Sequence, residues 1–77
     1  MMELTQKLVR MDDQAYELYI ARVHNASVGM GALGRGARIR CAGELRTNPA
    51  AVSNVLNLRL VSVRVLGKIE AWLEQQV

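Results

Sequence analysis

The sequence predicts an all-α protein, a small bundle of four or five short helices. Three observations carry that expectation. Half of the residues are hydrophobic (51%), yet phenylalanine is absent and aromatics reach only 4%; a mix led by alanine, valine, leucine and arginine favours helices over sheets. Apolar residues recur at spacings of three and four, the helical period. The strand-like alternation "LRLVSVRVL" at 58–66 finds no second stretch of matching period to pair with. At 77 residues the chain makes one domain. A chain of this size buries only roughly 60% of the surface its unfolded form exposes, so oligomerisation would help it.

Each element follows from local signals. Residues 1–11 place Leu4, Leu8 and Met11 on one helical face and form an arm or a short helix. Asp12 or Asp13 can cap a helix to about Asn25, since a carboxylate accepts the free N–H groups of a first turn. Within it Ala15, Leu18, Tyr19, Arg22 and Val23 keep the amphipathic spacing, and the stripe 4, 8, 11, 15, 18, 22 extends back into the arm. One long N-terminal helix is therefore an alternative. Gly29, Gly31, Gly34 and Gly36 then fall so close together that a loop is expected. This is not a phosphate-cradling loop, because neither GxGxxG after a strand nor GxxxxGK[ST] is present. Residues 37–45 are helical again, with Arg38, Cys41, Ala42 and Leu45 on one face. Asn48 is a good N-cap, and Pro49 suits the first helical position, where its missing N–H is not needed. The next helix, Pro49 to about Asn57, buries Val52, Val55 and Leu56. After the turn "LRLVS", Ser62 caps a last helix whose stripe is Val65, Leu66, Ile69, Trp72 and Leu73, with Lys68, Glu70, Glu74 and Gln75 turned to water.

Charge narrows the function. Arg35, Arg38, Arg40, Arg46, Arg59, Arg64 and Lys68 oppose only Glu44, giving that stretch +6 in a chain of net charge +3. A basic centre between neutral or acidic flanks suits a polyanion. The single cysteine, Cys41, has no internal partner and argues for no oxidising compartment. No apolar run approaches the roughly 20 residues that span a bilayer, and "MMELTQKLVRMDD" lacks the apolar stretch of a signal peptide. A cytoplasmic location and no membrane partner are expected. His24 and Cys41 make no zinc set, which takes four ligands in a structural site. No nucleophile–base–orienter set is visible, so neither an enzyme nor a cofactor is expected.

Two short helices joined by a tight turn, in the most basic part of the chain, have the pattern of a helix-turn-helix over residues 36–57. Ala42 is the small residue that lets the helices cross closely, and Leu45, Val52 and Val55 are the apolar contacts between them. The stretch "CAGELRTNPAAVSNVLN" resembles the helix-turn-helix of bacterial and phage transcriptional repressors, of the phage Cro and repressor type and also of the lactose-repressor type. The tail "VSVRVLGKIEAWLEQ" is similar to the helix that closes the small phage-repressor domain, here residues 63–76. Two positions depart from the family pattern: the turn glycine is Arg46, and the apolar residue after it is Thr47. A non-glycine at that turn either adopts the left-handed conformation, at about 1–2 kcal/mol, or uses another geometry. The glutamine that often opens the first helix corresponds to Arg38, which can reach a phosphate without the glutamine's network.

The second helix of the pair leaves Ala50, Ala51, Ser53, Asn54 and Asn57 outward, and the resemblance implies that these positions face the DNA major groove. Small side chains permit close approach, an alanine methyl can touch a thymine methyl, and Asn54 can bond adenine N6 and N7 together. Ser53 and Asn57 are expected on phosphates or base edges. Arg35, Arg38, Arg40, Arg46, Arg59 and Arg64 are the expected phosphate contacts, which supply affinity rather than sequence choice. The function expected is a sequence-specific regulator, a phage or mobile-element repressor that binds a palindromic operator in double-stranded DNA as a homodimer. Its dimer contact is the N-terminal stripe or the end of the last helix around Trp72 and Val77. The alternative is a small adaptor or inhibitor that uses the same scaffold to grip a protein.

Overall fold

A computed structural model describes residues 12–76 and contains four helices: α1 (Asp13–Ala32), α2 (Ala37–Glu44), α3 (Pro49–Leu56) and α4 (Val63–Glu74). No strand occurs among the described residues, and the 58–66 stretch forms a turn followed by the start of α4. Any arm or helix over residues 1–11 lies outside the described residues.

The expected caps are all in place. The Asp12 carboxylate accepts from the Ala15 N–H at 2.7 Å, Asn48 from Ala50 at 2.8 Å and the Ser62 hydroxyl from Val65 at 3.2 Å. Pro49 occupies the first turn of α3. Each cap satisfies a donor that the helix itself leaves open.

The end of α1 differs from expectation. The helix passes Asn25 and runs through Gly29 and Gly31 to Ala32, leaving only residues 33–36 as a loop. Two glycines cost a helix interior about 1 kcal/mol each, but continuing the helix buries Ala26 and Met30 beside Val23. A Cβ at Gly29 would make ordinary contacts with the Leu73 methyl carbons, at 3.6 and 3.7 Å, so the packing there does not itself demand glycine. Core packing outweighs local propensity here. The buried face shifts accordingly to Tyr19, Val23, Ala26 and Met30, while Ala15 and Leu18 of the expected stripe are exposed. Gly34 and Gly36 take positive φ angles of 91° and 83°, and this is what turns the chain into α2.

The core joins that face to Ala37, Cys41 and Ala42 of α2, Val52, Val55 and Leu56 of α3, and Leu66, Ile69 and Trp72 of α4. Burial pushes the Cys41 thiol above its ordinary pKa, as expected of a thiol that serves as a small core residue. Tyr19 ties the bundle together. Its hydroxyl donates to the Leu60 carbonyl at 3.4 Å and accepts from the Ser62 N–H at 2.9 Å, fixing the loop that launches α4. Ser27 reaches across to the Leu56 carbonyl at 3.3 Å, satisfying an open acceptor near the end of α3. Arg22 forms a two-pronged pair with Glu70, with Nε to Oε2 at 3.0 Å, linking α1 to α4.

Two stability measurements check these ties. Tyr19→Phe removes the acceptor of the Ser62 N–H and should destabilise by about 1–2 kcal/mol in chemical denaturation. The hydrogen bond from Arg22 holds the Glu70 carboxyl below its ordinary pKa. Its contribution is therefore fully present above the unfolded-state pKa of about 4.3 and is lost as pH falls through the lower folded-state value. Both side chains are partly exposed, at 41% and 32%, so solvent screening limits the pair to about 1 kcal/mol or less. Glu70→Gln should cost that much at pH 7, and the gap to the parent chain should close as pH falls below the lowered folded-state pKa.

Candidate nucleic-acid interface

The two central helices are joined by residues 45–48. Ala42, Val52 and Val55 are fully buried between them and the rest of the core, and Leu45 is half-buried against it. The turn resolves the two geometries open to Arg46. Arg46 adopts the left-handed conformation, with φ 57°. Its N–H donates to the Gly43 carbonyl at 3.2 Å, and the Thr47 N–H donates to Ala42 at 2.8 Å. That paired closure is the usual way to end a helix through a glycine; here an arginine carries it. The same closure ends α3, with Leu58 at φ 62° and the Arg59 N–H on the Asn54 carbonyl at 2.8 Å.

Packing Val52, Val55 and Leu56 inward sets the rest of α3. Ala50 and Asn57 are exposed; Ala51, Ser53 and Asn54 are half-buried rather than fully outward. Arg38 links the pair of helices. Its Nη1 donates to Ser53 Oγ at 3.3 Å and to Asn57 Oδ1 at 3.5 Å. Arg38 needs no network to reach a phosphate, yet it has one of its own, because Ser53 and Asn57 lie one turn apart on the side of α3 that faces it. The outcome is a guanidinium that reaches two of the expected base-reading residues through one nitrogen. Beside it lies a groove of about 380 Å³ lined by Gly31, Gly34, Gly36, Ile39, Arg38 and Ser53, among others.

The remaining arginines divide into separate groups. Arg35 and Arg59 are exposed, in the connection before α2 and in the connection after α3. Arg46 and Arg64 converge at the opposite end of the pair, on a cleft they share with Lys68. Arg40 lies over the Trp72 ring, 5.8 Å from its centroid, and so has a packing role. The Trp72 N–H donates to Glu44 at 2.6 Å. Sequence spacing gave no sign of this Arg40–Trp72–Glu44 group, since its members lie on α2 and α4. Trp72 is 3% exposed within its own chain, and Val77, named with it for the expected dimer contact, lies outside the described residues. Among the described residues, no helix is long and apolar enough to cross a membrane.

Replacing Arg46 by glycine tests the turn. Relief of left-handed strain, about 1–2 kcal/mol, exceeds the entropy that glycine adds to the unfolded chain, about 0.5–1 kcal/mol. Arg46→Gly should therefore raise the melting temperature by a few degrees, measured by circular dichroism.

In comparisons with known proteins, no family model matches the chain, and no curated protein or solved structure is significantly similar to it.

Proposed function

We propose that this chain is a sequence-specific DNA-binding transcriptional regulator, a repressor of phage or mobile-element type that binds a palindromic operator as a homodimer. The observation that supports it best is the Arg38–Ser53–Asn57 group. A cation is anchored at the edge of a helix face that otherwise carries only alanines and small polar groups. That is the division of labour expected of a groove-reading helix, with charge at the backbone and close, uncharged contacts at the bases. Ala50 and Asn54 read base edges; Arg38 and Arg59 bracket the helix and hold phosphates. One such helix reads only a half-site, so two-fold symmetry in protein and operator is expected.

A second reading has its own observation. Leu58, Leu60, Val61 and Val63 are 40–49% exposed along the α3–α4 connection, and an apolar surface of that kind suits a protein partner. Under that reading the chain is an adaptor or inhibitor and the bases of DNA are not its target.

Selection of bound duplexes from a random library, at low and near-physiological salt, separates the two. An enriched palindrome that persists at the higher salt is the expected result; binding that disappears with salt and enriches nothing favours the protein-partner reading. On the enriched site, Asn54→Ala should remove about 1–3 kcal/mol of preference at one adenine with the melting temperature unchanged. Arg59→Gln should weaken binding to all sequences alike and flatten the log–log salt dependence by roughly 0.9.

A further inference from the structure

Apart from the bracketing arginines, a second basic feature brings Arg46 and Arg64, two of the expected phosphate contacts, together with Lys68 and Thr47. Between the α2–α3 turn and the first two turns of α4 lies a cleft of about 210 Å³, lined by Leu45, Arg46, Thr47, Arg64, Val65 and Lys68. Leu45 and Val65 are half-buried against the core and give it an apolar base, while Arg46, Thr47, Arg64 and Lys68 are exposed around it. Arg64 and Lys68 stand four residues apart on α4 and so share a face. Arg46 lines the cleft from the α2–α3 turn opposite.

Three cationic side chains line one cleft, and an anion bound there would offset their mutual repulsion. Among the described residues none of the three has a carboxylate partner, the described ion pair being Arg22–Glu70. Glu44, the acid nearest to Arg46 in sequence, is bonded to the Trp72 indole.

We propose that this cleft binds a phosphate group. The guanidinium groups of Arg46 and Arg64 offer planar forks to its oxygens, Lys68 adds a compact charge and the Thr47 hydroxyl a further donor. The phosphate is either a phosphodiester of the DNA backbone, in which case the inference rests on the reading above, or a free phosphate or pyrophosphate.

The test is a titration of the isotope-labelled full chain with sodium pyrophosphate, followed by backbone amide shifts, against sodium chloride at matched ionic strength. Saturable shifts centred on Arg46, Thr47, Arg64 and Lys68, seen with pyrophosphate and not with chloride, are expected. R64Q/K68Q should weaken the response about tenfold or more, since charge-assisted bonds of this kind are lost with both side chains. The single exposed substitution K68Q, which should also weaken it, serves if the double variant does not fold. An equal response to chloride, or undiminished binding by the folded variants, overturns the proposal. Adding the enriched duplex identifies the source: displacement of pyrophosphate marks a backbone phosphate, and simultaneous binding marks a free one. Duplex binding with a silent cleft overturns this inference and leaves the DNA reading standing. Pyrophosphate binding with no duplex enriched does the reverse.

Discussion

The two central helices are too short to exist alone. Each has eight residues, and isolated helices below about 12–15 residues are marginal in water. Their stability therefore depends on being pressed together, and that requires small side chains where they meet. Ala37, Cys41 and Ala42 provide them on α2, each at 1% exposure or less. Larger residues there would hold α3 away and leave Val52 and Val55 without close neighbours; overpacking of such sites costs about 1–3 kcal/mol. The outer pair, α1 and α4, encloses this seam. Tyr19 and Arg22 lock the outer helices to each other and to the connection between α3 and α4. The face available to a ligand is thus a by-product of core packing: once Val52, Val55 and Leu56 turn inward, what α3 shows outward is already decided.

Much of this was legible in the sequence, for an identifiable reason. Caps are local, so Asp12 or Asp13, Asn48 with Pro49, and Ser62 announced three helix starts, the first of which falls to Asp12. The stripes of α3 and α4 were equally readable, because both helices present one continuous apolar face. The path of α1 was not. Glycine propensity argued for a loop after Asn25, and only the burial of Ala26 and Met30 against elements distant in sequence carries the helix on through Gly29 and Gly31. The same limit hid the aromatic and charge groupings. Arg40 read as one more free cation until α4 brought Trp72 beneath it, and Arg38 read as isolated until the crossing of α2 and α3 brought Ser53 and Asn57 within reach. Residue-to-residue spacing reveals contacts within an element; contacts between elements depend on how the elements cross.

The turn between α2 and α3 shows how a bulky residue can close a helix in the conformation that suits glycine. Arg46 keeps the hydrogen bonding that glycine normally supplies and takes the strain in its own backbone. Leu58 repeats the arrangement at the end of α3. Both ends of the central pair are therefore closed by bulky residues in a conformation that suits glycine. The bundle holds both without relying on local preference.

The seam between α2 and α4 also makes the molecule its own spectroscopic reporter. Trp72 is the chain's single tryptophan, buried, covered by a guanidinium and bonded through its indole N–H to a carboxylate. Its emission therefore arises from one defined place, where α4 meets the end of α2 behind the turn. Separation of those helices exposes the indole to water and reddens that emission. Events confined to the outward face of α3 involve no atom of the group and leave the emission largely as it was, so folding and ligand contact can be followed as separate optical signals in the unmodified chain.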